Sequence, residues 1–319
     1  MNARLIDGIG IRTKILHQIK QELARRARIR DGVPGLAVIR VGYDPASSAY
    51  IRQKKLTAQE LGYDYREHLL AEAALQSEVM ELIGQLNRNS KVHGILLDLP
   101  IPPHLSRETL VGAINPDKDV DGLHPVNAGM LFQGRHGFRP CTPLAVMRLL
   151  EEIGFDPAGK KAVIIGRSNI VGKPIAMLLL AAHATATICH RQSDLPAALK
   201  HADLVVAAVG VPRSIKGTWI KRGAAVIDVG INRVDGTLVG DVEFEEASKR
   251  ASFITPVPGG VGAVTVAMLM HNTFLAWASQ AQDSSEPESD GLYETGLRVG
   301  AVPPPREPAY GLPGFGLCS

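Results

Sequence analysis

Residues 161–180, KAVIIGRSNIVGKPIAMLLL, predict a strand, a tight turn and a helix in immediate succession. The apolar run from Ala162 to Ile165 is too short for a helix and ends on a glycine, as is typical of a buried parallel strand. Gly166 permits a sharp turn, and Gly172 permits the helix to begin close to the strand. Backbone N–H groups at a helix N-terminus favour a phosphate, so this turn is a candidate nucleotide site.

The turn departs from the dinucleotide fingerprint G-x-G-x-x-G, because Ser168 stands where the second glycine would be. An ordinary strand-to-helix connection therefore remains an alternative. Arg191 follows the strand predicted at 185–189, about where an NAD-specific fold has an acidic residue that binds a ribose hydroxyl. An arginine at that place, together with Arg167, favours the additional 2′-phosphate of NADP.

The composition is typical of a globular protein, with 319 residues of which 45% are hydrophobic and 21% charged. This length predicts two domains. The formal net charge is +3 and no dense run of Lys and Arg occurs, which argues against a nucleic-acid partner.

The compartment is predicted from three features. Cys141, Cys189 and Cys318 are odd in number and widely spaced, so neither a disulfide framework nor a zinc site is expected. Residues 1–7 are polar and charged, without a signal-peptide core. The apolar stretch 175–182 is much shorter than a membrane span. We therefore expect a cytoplasmic protein with no membrane partner.

The order of strands and helices predicts an α/β protein of two domains. Residues 1–138 are predicted to form a parallel α/β substrate domain, with strands at 36–41, 65–70 and 92–99. Residues 139–263 are predicted to form a doubly wound, Rossmann-like nucleotide domain, with strands at 162–165, 185–189, 204–209 and 225–229. A C-terminal helix, 264–281, is expected to complete the first domain, and the Ser-, Glu-, Pro- and Gly-rich tail 282–319 is expected to be disordered.

Three polar side chains are candidate catalytic groups in the first domain. Tyr50 and Lys54 are four residues apart and share one face of a predicted helix. A phenol beside an amine can orient a substrate ring and move protons if the amine is partly desolvated, although an exposed surface pair is the simpler alternative. Asp98 follows an apolar strand, at the edge where open α/β sheets bind ligands. It is either a partnered site residue or a plain strand-ending carboxylate.

Two loops contain more specific residues than a connection requires. The segment 118–125, KDVDGLHP, does not match a standard zinc pattern, so no metal site is predicted. Asp121 in this segment can accept two N–H bonds from an aminopyrimidine-like ring, unless the segment forms only a turn. The stiff loop 255–262, TPVPGGVG, can bring its backbone close to a flat ligand or can act only as a domain connector.

Together these segments resemble the family of bifunctional methylenetetrahydrofolate dehydrogenase/methenyltetrahydrofolate cyclohydrolases (FolD). The resemblance extends from Ala3 to about Ala276 and rests on six motifs in the family's order and spacing: VGYDPASSAYIRQK, GILLDLPIPPHL, INPDKDVDGLHP, PCTP, GRSNIVGKP and PVPGGVG. It implies oxidation of 5,10-methylenetetrahydrofolate with NADP⁺ and hydrolysis of the product to 10-formyltetrahydrofolate in the same site. It also implies an active-site cleft between the two domains, a homodimer and no metal requirement.

The resemblance also implies roles for individual residues. Tyr50 is expected to stack on the substrate ring, Lys54 to be the essential lysine and Asp121 to bind the pterin. Further substrate contacts are expected at Pro258, Gly259 and Gly260. The expected cofactor contacts are Thr142, Gly166, Arg167, Ser168, Arg191 and Ile231.

Asp98 is the main departure from the family pattern, which has a glutamine in the segment Q-L-P-x-P. In the family that glutamine hydrogen-bonds the catalytic lysine. A carboxylate within about 4–6 Å stabilises the charged form of an amine. We therefore expect Asp98 to keep Lys54 protonated and to weaken hydrolysis, while hydride transfer, which depends on positioning two rings, suffers less.

Two alternatives to the bifunctional enzyme remain open. The first is a monofunctional dehydrogenase that acts on a folate or a related one-carbon carrier. The second is a catalytically weakened paralogue that binds folate or nucleotide, and the retention of Lys54 and Asp121 argues against it.

Overall fold

A computed structural model of the chain describes residues 2–27, 32–43 and 45–280. The tail predicted to be disordered, 282–319, lies outside the described residues, as does Asp44 of the first motif. The elements of the N-terminal part are, in chain order, β1 (Arg4–Leu5), α1 (Gly8–Arg26), β2 (Gly35–Val41), α2 (Pro45–Glu60), β3 (Asp64–Leu70), α3 (Gln76–Arg88), β4 (Gly94–Leu97), α4 (Arg107–Ala113) and α5 (Pro125–Phe132).

The C-terminal part continues the alternation of strands and helices. Its elements are α6 (Cys141–Glu152), β5 (Lys161–Ile165), α7 (Gly172–Ala181), β6 (Thr185–Cys189), α8 (Leu195–Leu199), β7 (Leu204–Ala207), β8 (Ala225–Asp228), β9 (Asn232–Val234), β10 (Thr237–Val239), α9 (Phe244–Ser248), β11 (Phe253–Ile254) and α10 (Val261–Ser279).

The strands form two parallel sheets, which confirms the predicted α/β class. The first sheet has the order β3-β2-β4, and the second has the order β1-β11-β8-β7-β5-β6. All pairs in both sheets are parallel, and only β9 and β10 form a separate antiparallel hairpin among the described residues. The carboxyl ends of the strands in each sheet therefore share one edge, where ligands bind in folds of this kind.

The strand β1 differs from the predicted division of the chain. It pairs with β11 and so extends the sheet of the C-terminal part, although residues 1–138 were expected to belong to the other domain. Two residues with exposed side chains give no strand signal in the sequence, so this pairing could not be predicted.

Helix α1 has its predicted buried face, because Ile11, Ile15 and Ile19 are all in the core. The regular spacing of these residues puts them on one side of a helix that packs against α10. The same core cluster includes residues of α6 and of the strands β5 and β7, so the two parts of the chain share one continuous apolar interior.

Helix α10 is long and apolar and is almost entirely buried between α1, α2 and α6. Among the described residues it is the one helix long and apolar enough to cross a bilayer by length and composition. However, 78% of its most apolar window is buried inside the fold. Packing in the protein core accounts for this composition. The helix begins at Val261, three residues before the predicted start at residue 264.

Candidate functional site

The segment 166–172, here called the glycine turn, has the predicted strand–turn–helix geometry. Gly166 has φ +132°, and a Cβ there would lie 2.3 Å from the carbonyl oxygen of Ala208 on the next strand connection. A Cβ on Gly172 would lie 2.1 Å from the carbonyl oxygen of Gly166. Only glycine fits either position, because a side chain would collide with backbone. The helix α7 therefore begins directly against the end of β5.

The glycine turn presents free backbone donors. Ser168 caps α7, since its Oγ accepts hydrogen bonds from the N–H groups of Val171 at 3.1 Å and Gly172 at 3.4 Å. Among the described residues, no group accepts a hydrogen bond from the backbone N–H groups of Arg167, Ser168 or Asn169. These exposed donors at a helix N-terminus fit a phosphate group, which is the chemistry expected of a dinucleotide.

Arg191 is on the same sheet edge as the glycine turn. The N–H of Gly166 donates to the carbonyl of Cys189 at 2.9 Å, so the end of β6 adjoins the turn. Arg191 is exposed two residues after that carbonyl, and Arg167 is exposed within the turn itself. Both guanidinium groups are thus available to an anionic ligand, as a 2′-phosphate would require.

Four of the predicted catalytic and substrate residues line one crevice. It has a volume of about 180 Å³, and Tyr50, Lys54, Asp98 and Asp121 all contribute to its walls. The walls also include Ile170 and Val171 of the glycine turn, together with Thr142, Thr265, Val266 and Leu269. The geometry therefore joins residues of α2, β4 and the loop after it to the turn that was predicted to hold a nucleotide.

Lys54 and Asp98 form a buried ion pair in this crevice. The Nζ of Lys54 donates to Oδ1 of Asp98 at 2.8 Å, and the two side chains are 15% and 9% exposed. The expected neighbourhood of the two groups is confirmed. On its far side Asp98 faces Arg40, whose Nε is 4.0 Å from Oδ2, and Arg40 in turn donates to Glu67 at 2.8 Å. These four side chains are here called the charge row.

The polar residues of the loop before α5 have two roles: Lys118 and Asp119 stabilise the fold, and Asp121 faces the crevice. Lys118 is buried and its Nζ donates to the carbonyl groups of Leu86, Asn87 and Asn89, which stabilises the C-terminal end of α3. Asp119 is also buried and accepts hydrogen bonds from the N–H groups of Leu123 and His124 and from Asn127.

Asp121 is left as the carboxylate that faces the crevice. Burial is the main reason why the pKa of Asp121 rises to about 6, and Lys54 opposes that rise. The thiol of Cys141, which donates to the carbonyl of Val120 at 3.3 Å, lies close to the same carboxyl group. A carboxylate in such a place gains most from a ligand that supplies N–H donors, because these replace the lost solvent.

Tyr50 connects the crevice with the first turn of α10. Its hydroxyl lies 2.1 Å from the position that a Cβ on Gly262 would take, and Cδ1 of Ile231 lies 3.4 Å from the same point. The absence of a side chain at Gly262 lets the phenol approach the helix. Burial raises the pKa of Tyr50 to about 12, so the phenol keeps its proton at neutral pH. Tyr50 can therefore stack and donate but is a poor base.

The loop with Pro258, Gly259 and Gly260 is outside the crevice walls. None of the three is among the described residues that line it, and Pro258 is exposed. Gly260 instead is the N-cap of α10, whose residues Thr265, Val266 and Leu269 do line the crevice. A contact of this loop with substrate stays a prediction, as do the roles predicted for Arg191 and Ile231.

Two residues that support the site were not identified from the sequence. Asn272 in α10 donates from Nδ2 to the carbonyl groups of Val120 at 2.8 Å and Arg139 at 3.0 Å, which fixes the loop that carries Asp121. Arg40 interrupts an otherwise apolar strand, GLAVIRV, in which every residue is buried. A charged residue at a buried strand position is itself a signal that a partner is needed.

Among the described residues, no group of three or more His, Cys, Asp or Glu side chains could hold a metal ion. The expectation that the chemistry needs no metal stays a prediction.

Two family models match the chain. Residues 6–121 match the model described as "Tetrahydrofolate dehydrogenase/cyclohydrolase, catalytic domain". Residues 140–281 match "Tetrahydrofolate dehydrogenase/cyclohydrolase, NAD(P)-binding domain". The "Bifunctional protein FolD 2" of Myxococcus xanthus is 55% identical over 274 residues, which are 86% of this chain and 95% of the relative. The chain belongs to the tetrahydrofolate dehydrogenase/cyclohydrolase family.

Other members of the tetrahydrofolate dehydrogenase/cyclohydrolase family agree in sequence and in fold. The "Bifunctional protein FolD" of Moorella thermoacetica is 52% identical over 276 residues, 86% of this chain and 98% of the relative. The crystal structure of the Campylobacter jejuni FolD has a TM-score of 0.84 at 44% identity and covers 86% of this chain and 99% of its own. The Trypanosoma brucei FolD complexed with NADP cofactor and inhibitor has a TM-score of 0.85 at 38% identity, with coverages of 89% and 100%.

Proposed function

We propose that this chain oxidises 5,10-methylenetetrahydrofolate with NADP⁺ and hydrolyses the resulting 5,10-methenyltetrahydrofolate to 10-formyltetrahydrofolate. One observation carries the proposal: Tyr50, Lys54 and Asp121 share a crevice with Ile170 and Val171 of the glycine turn. A single site that is lined by substrate residues and by the nucleotide turn can bring two rings face to face. Membership of the family supports the same pair of reactions.

The pterin end of the substrate is assigned to the inner part of the crevice. Asp121 accepts two N–H bonds from the aminopyrimidine edge, which favours its ionised form. Tyr50 lies over the ring as a neutral phenol, since burial raises its pKa to about 12. Leu96, Leu97 and Leu269 supply the apolar walls that exclude water. Together these contacts orient the bridging carbon toward the side of the glycine turn.

NADP⁺ is assigned to the sheet edge of the C-terminal part. The free N–H groups of residues 167–169 and the exposed Arg167 fit its phosphates, and Arg191 fits the 2′-phosphate. Thr142 and Ile231 are assigned to the nicotinamide end, because Thr142 lines the crevice and Ile231 lies beside Gly262 and Tyr50. When bound, the cofactor supplies the acceptor for a hydride.

Lys54 is assigned the proton transfer in hydrolysis. Water adds its oxygen to the methenyl carbon, the bond between that carbon and N5 breaks, N5 takes up one proton of the water and the other proton is released. An amine in its neutral form can take a proton from the attacking water. Lys54 donates to Asp98 at 2.8 Å, so its amine has to leave this contact before it can take a proton from water, and hydrolysis is the reaction that we expect the pair to weaken.

We also propose that the enzyme is a cytoplasmic homodimer with tetrahydrofolate derivatives as its small-molecule partners, in line with the family resemblance. Sedimentation of the purified chain checks the dimer.

The direct test is to assay the purified chain for both reactions separately. Formation of NADPH from NADP⁺ and 5,10-methylenetetrahydrofolate is followed by its absorbance, with NAD⁺ in place of NADP⁺ as the control. Loss of 5,10-methenyltetrahydrofolate without nucleotide reports hydrolysis. Both activities are expected, with NADP⁺ preferred. Oxidation without hydrolysis would favour the monofunctional dehydrogenase, and neither activity would favour a folate- or nucleotide-binding paralogue.

A further inference from the structure

Arg40 is a buried cation that lies between two carboxylates. Its side chain is 9% exposed, its Nη1 is 2.8 Å from Oε1 of Glu67, and its Nε is 4.0 Å from Oδ2 of Asp98. Asp98 in turn is 2.8 Å from the Nζ of Lys54. The charge row thus alternates in sign from the sheet edge to the crevice. The proposed reactions use neither Arg40 nor Glu67, and Arg40 is the one of these two that contacts Asp98.

The sheet register explains how the row forms. In the central strand β2, Val38 is the Cα partner of Glu67, and Ile39 is the Cα partner of Leu97. Side chains alternate along a strand, so Arg40 points to the same face as Val38. That face lies between Glu67 on β3 and Asp98 just beyond the end of β4. Lys54 then reaches Asp98 from α2, which packs against β3 and α10.

We propose that Arg40 is a positioning residue, and this proposal rests on the proposed function. Arg40 and Lys54 both contact Asp98, so Arg40 weakens the attraction of Asp98 for the ammonium group of Lys54. A lone buried Asp–Lys pair would keep the amine charged and stop hydrolysis. A second cation near the other oxygen of the carboxylate partly offsets its negative charge, so the carboxylate attracts Lys54 less strongly. With Arg40 present, Lys54 can therefore act as a base even though Asp98 is its neighbour.

The charge balance around Arg40 supports this role. Glu67 is closer to Arg40 but is 27% exposed and is screened by water, whereas the longer contact of Arg40 with Asp98 joins two side chains that are each 9% exposed. The Nη2 of Arg40 is buried and has no hydrogen-bond partner among the described residues, so Glu67 does not saturate the guanidinium. The charged and titratable groups that face Asp98 or Lys54 from the surrounding elements are Arg40, Tyr50, Tyr65, Glu67, Asp119, Asp121 and Cys141. Cys141 is neutral at neutral pH, because burial raises the pKa of its thiol.

Most of these neighbours cannot replace Arg40. Tyr50 and Tyr65 are neutral at neutral pH, since burial raises the pKa of each phenol. Asp119 and Asp121 carry the same sign as Asp98, so they strengthen rather than weaken the hold on the ammonium of Lys54. Among the described groups that face the pair, Arg40 is the cation available for this task.

The test is the titration of Lys54 followed by the NMR signal of its labelled side-chain nitrogen, assigned by its loss in Lys54→Met. In Arg40→Leu we expect the midpoint to move up by about 1 pH unit, because the carboxylate then acts on Lys54 alone. Arg40→Lys keeps the cation and should recover most of this change. Glu67→Gln alters a half-exposed group, leaves Arg40 less neutralised, and should move the midpoint down.

A double-mutant cycle shows whether Arg40 acts through Asp98. In an Asp98→Gln background, the effect of Arg40→Leu should fall to less than half, and the pH profile of hydrolysis should move in parallel with the titration. Arg148→Leu is the matched control, since Arg148 is equally buried and paired with Glu151, and it should leave the midpoint unchanged. This control separates lost stability from lost positioning.

An unchanged midpoint in Arg40→Leu, or an equal change in both backgrounds, would overturn the role of Arg40. If Arg40→Leu does not fold, an unchanged midpoint in Glu67→Gln would do the same. Failure of the proposed function has a different signature: the wild-type chain would not reduce NADP⁺ with 5,10-methylenetetrahydrofolate. The NMR readout needs no turnover, so the two failures are distinguishable.

Discussion

The glycine turn and the charge row meet in one crevice, but different physics holds each of them. In the turn, Gly166 and Gly172 leave no space for a side chain, with backbone oxygens 2.3 and 2.1 Å from the positions of the missing Cβ atoms. In the charge row, oppositely charged side chains from β2, β3, α2 and the loop after β4 pair over distances of 2.8 to 4.0 Å.

This difference decides how each region responds to change. A substitution in the turn acts through shape, so it lowers nucleotide binding at every pH and also lowers the free energy of unfolding. A substitution in the charge row acts through charge, so its effect depends on pH and separates hydrolysis from hydride transfer. Substitutions in the two regions test this difference.

The largest effect is expected for Lys54→Met. Hydrolysis of methenyltetrahydrofolate should fall by a factor of about 10³, in the range of a lost general base. Lys55→Met is a matched control, since Lys55 is the exposed neighbour on the same helix, and it should retain the wild-type rate. Equal loss in the two variants, measured by the absorbance of the substrate, would remove Lys54 from the mechanism.

Gly172→Val should raise the Kd for NADP⁺ by a factor of about 100, because the new side chain pushes α7 away from β5. Calorimetric titration gives the Kd, and thermal unfolding should show a lower Tm. Gly112→Ala is the control, as a Cβ there meets nothing within 4 Å. Wild-type affinity in Gly172→Val would contradict the close approach of helix and strand.

Asp121→Asn tests the buried carboxyl group in the absence of ligands. The pKa of Asp121 in the folded chain is raised by burial to about 6, above its value of 3.8 in the unfolded chain. Burial thus favours the protonated, neutral carboxyl group of Asp121. The stability that this form contributes to the fold is lost as the pH rises through the folded-state pKa of about 6. The variant should therefore gain about 3 kcal/mol over the wild type well above pH ~6 and almost nothing below pH ~4.

Denaturant unfolding of Asp121→Asn and wild type across this pH range measures the difference. The pKa of Asp228 is also raised to about 6 by burial, but Asp228 is present in both proteins and its contribution cancels. A stability difference that does not vary with pH would show that burial does not raise the pKa of Asp121.

Lys118→Gln is expected to have the smallest effect on activity. It removes an ammonium that donates to three carbonyl groups at the end of α3, so the free energy of unfolding should fall by about 1–2 kcal/mol. The KM and kcat of both reactions should stay at the wild-type values. A selective loss of folate affinity would instead place Lys118 in the site with its neighbour Asp121.

The glycine turn could be predicted from the sequence because its determinants are adjacent in the chain. A short apolar run, a glycine and a helix with a second glycine specify strand, turn and helix locally, and the structure confirms all three. The pairing of Lys54 with Asp98 was expected only through the family resemblance. Their separation of 44 residues gives no local signal of contact.

Arg40 and Glu67 could not be placed from the sequence because their contact depends on strand register. One residue of slip would turn Arg40 to the opposite face of β2. The division of roles between Lys118 and Asp121 was likewise inaccessible, since both are polar residues of one loop and only burial and partners distinguish them. The pairing of β1 with β11 joins residues about 250 positions apart, and no spacing rule reaches that far.

Asp98→Gln is the most direct test of the contrast between shape and charge. The measurement is the ratio of the hydrolysis rate to the NADP⁺-dependent oxidation rate at neutral pH. We predict that this ratio rises about tenfold, because the amide no longer holds Lys54 in its charged form, while the glycine turn and the Kd for NADP⁺ stay unchanged. An unchanged ratio would contradict the account, since Asp98 would then have no influence on the lysine that it contacts.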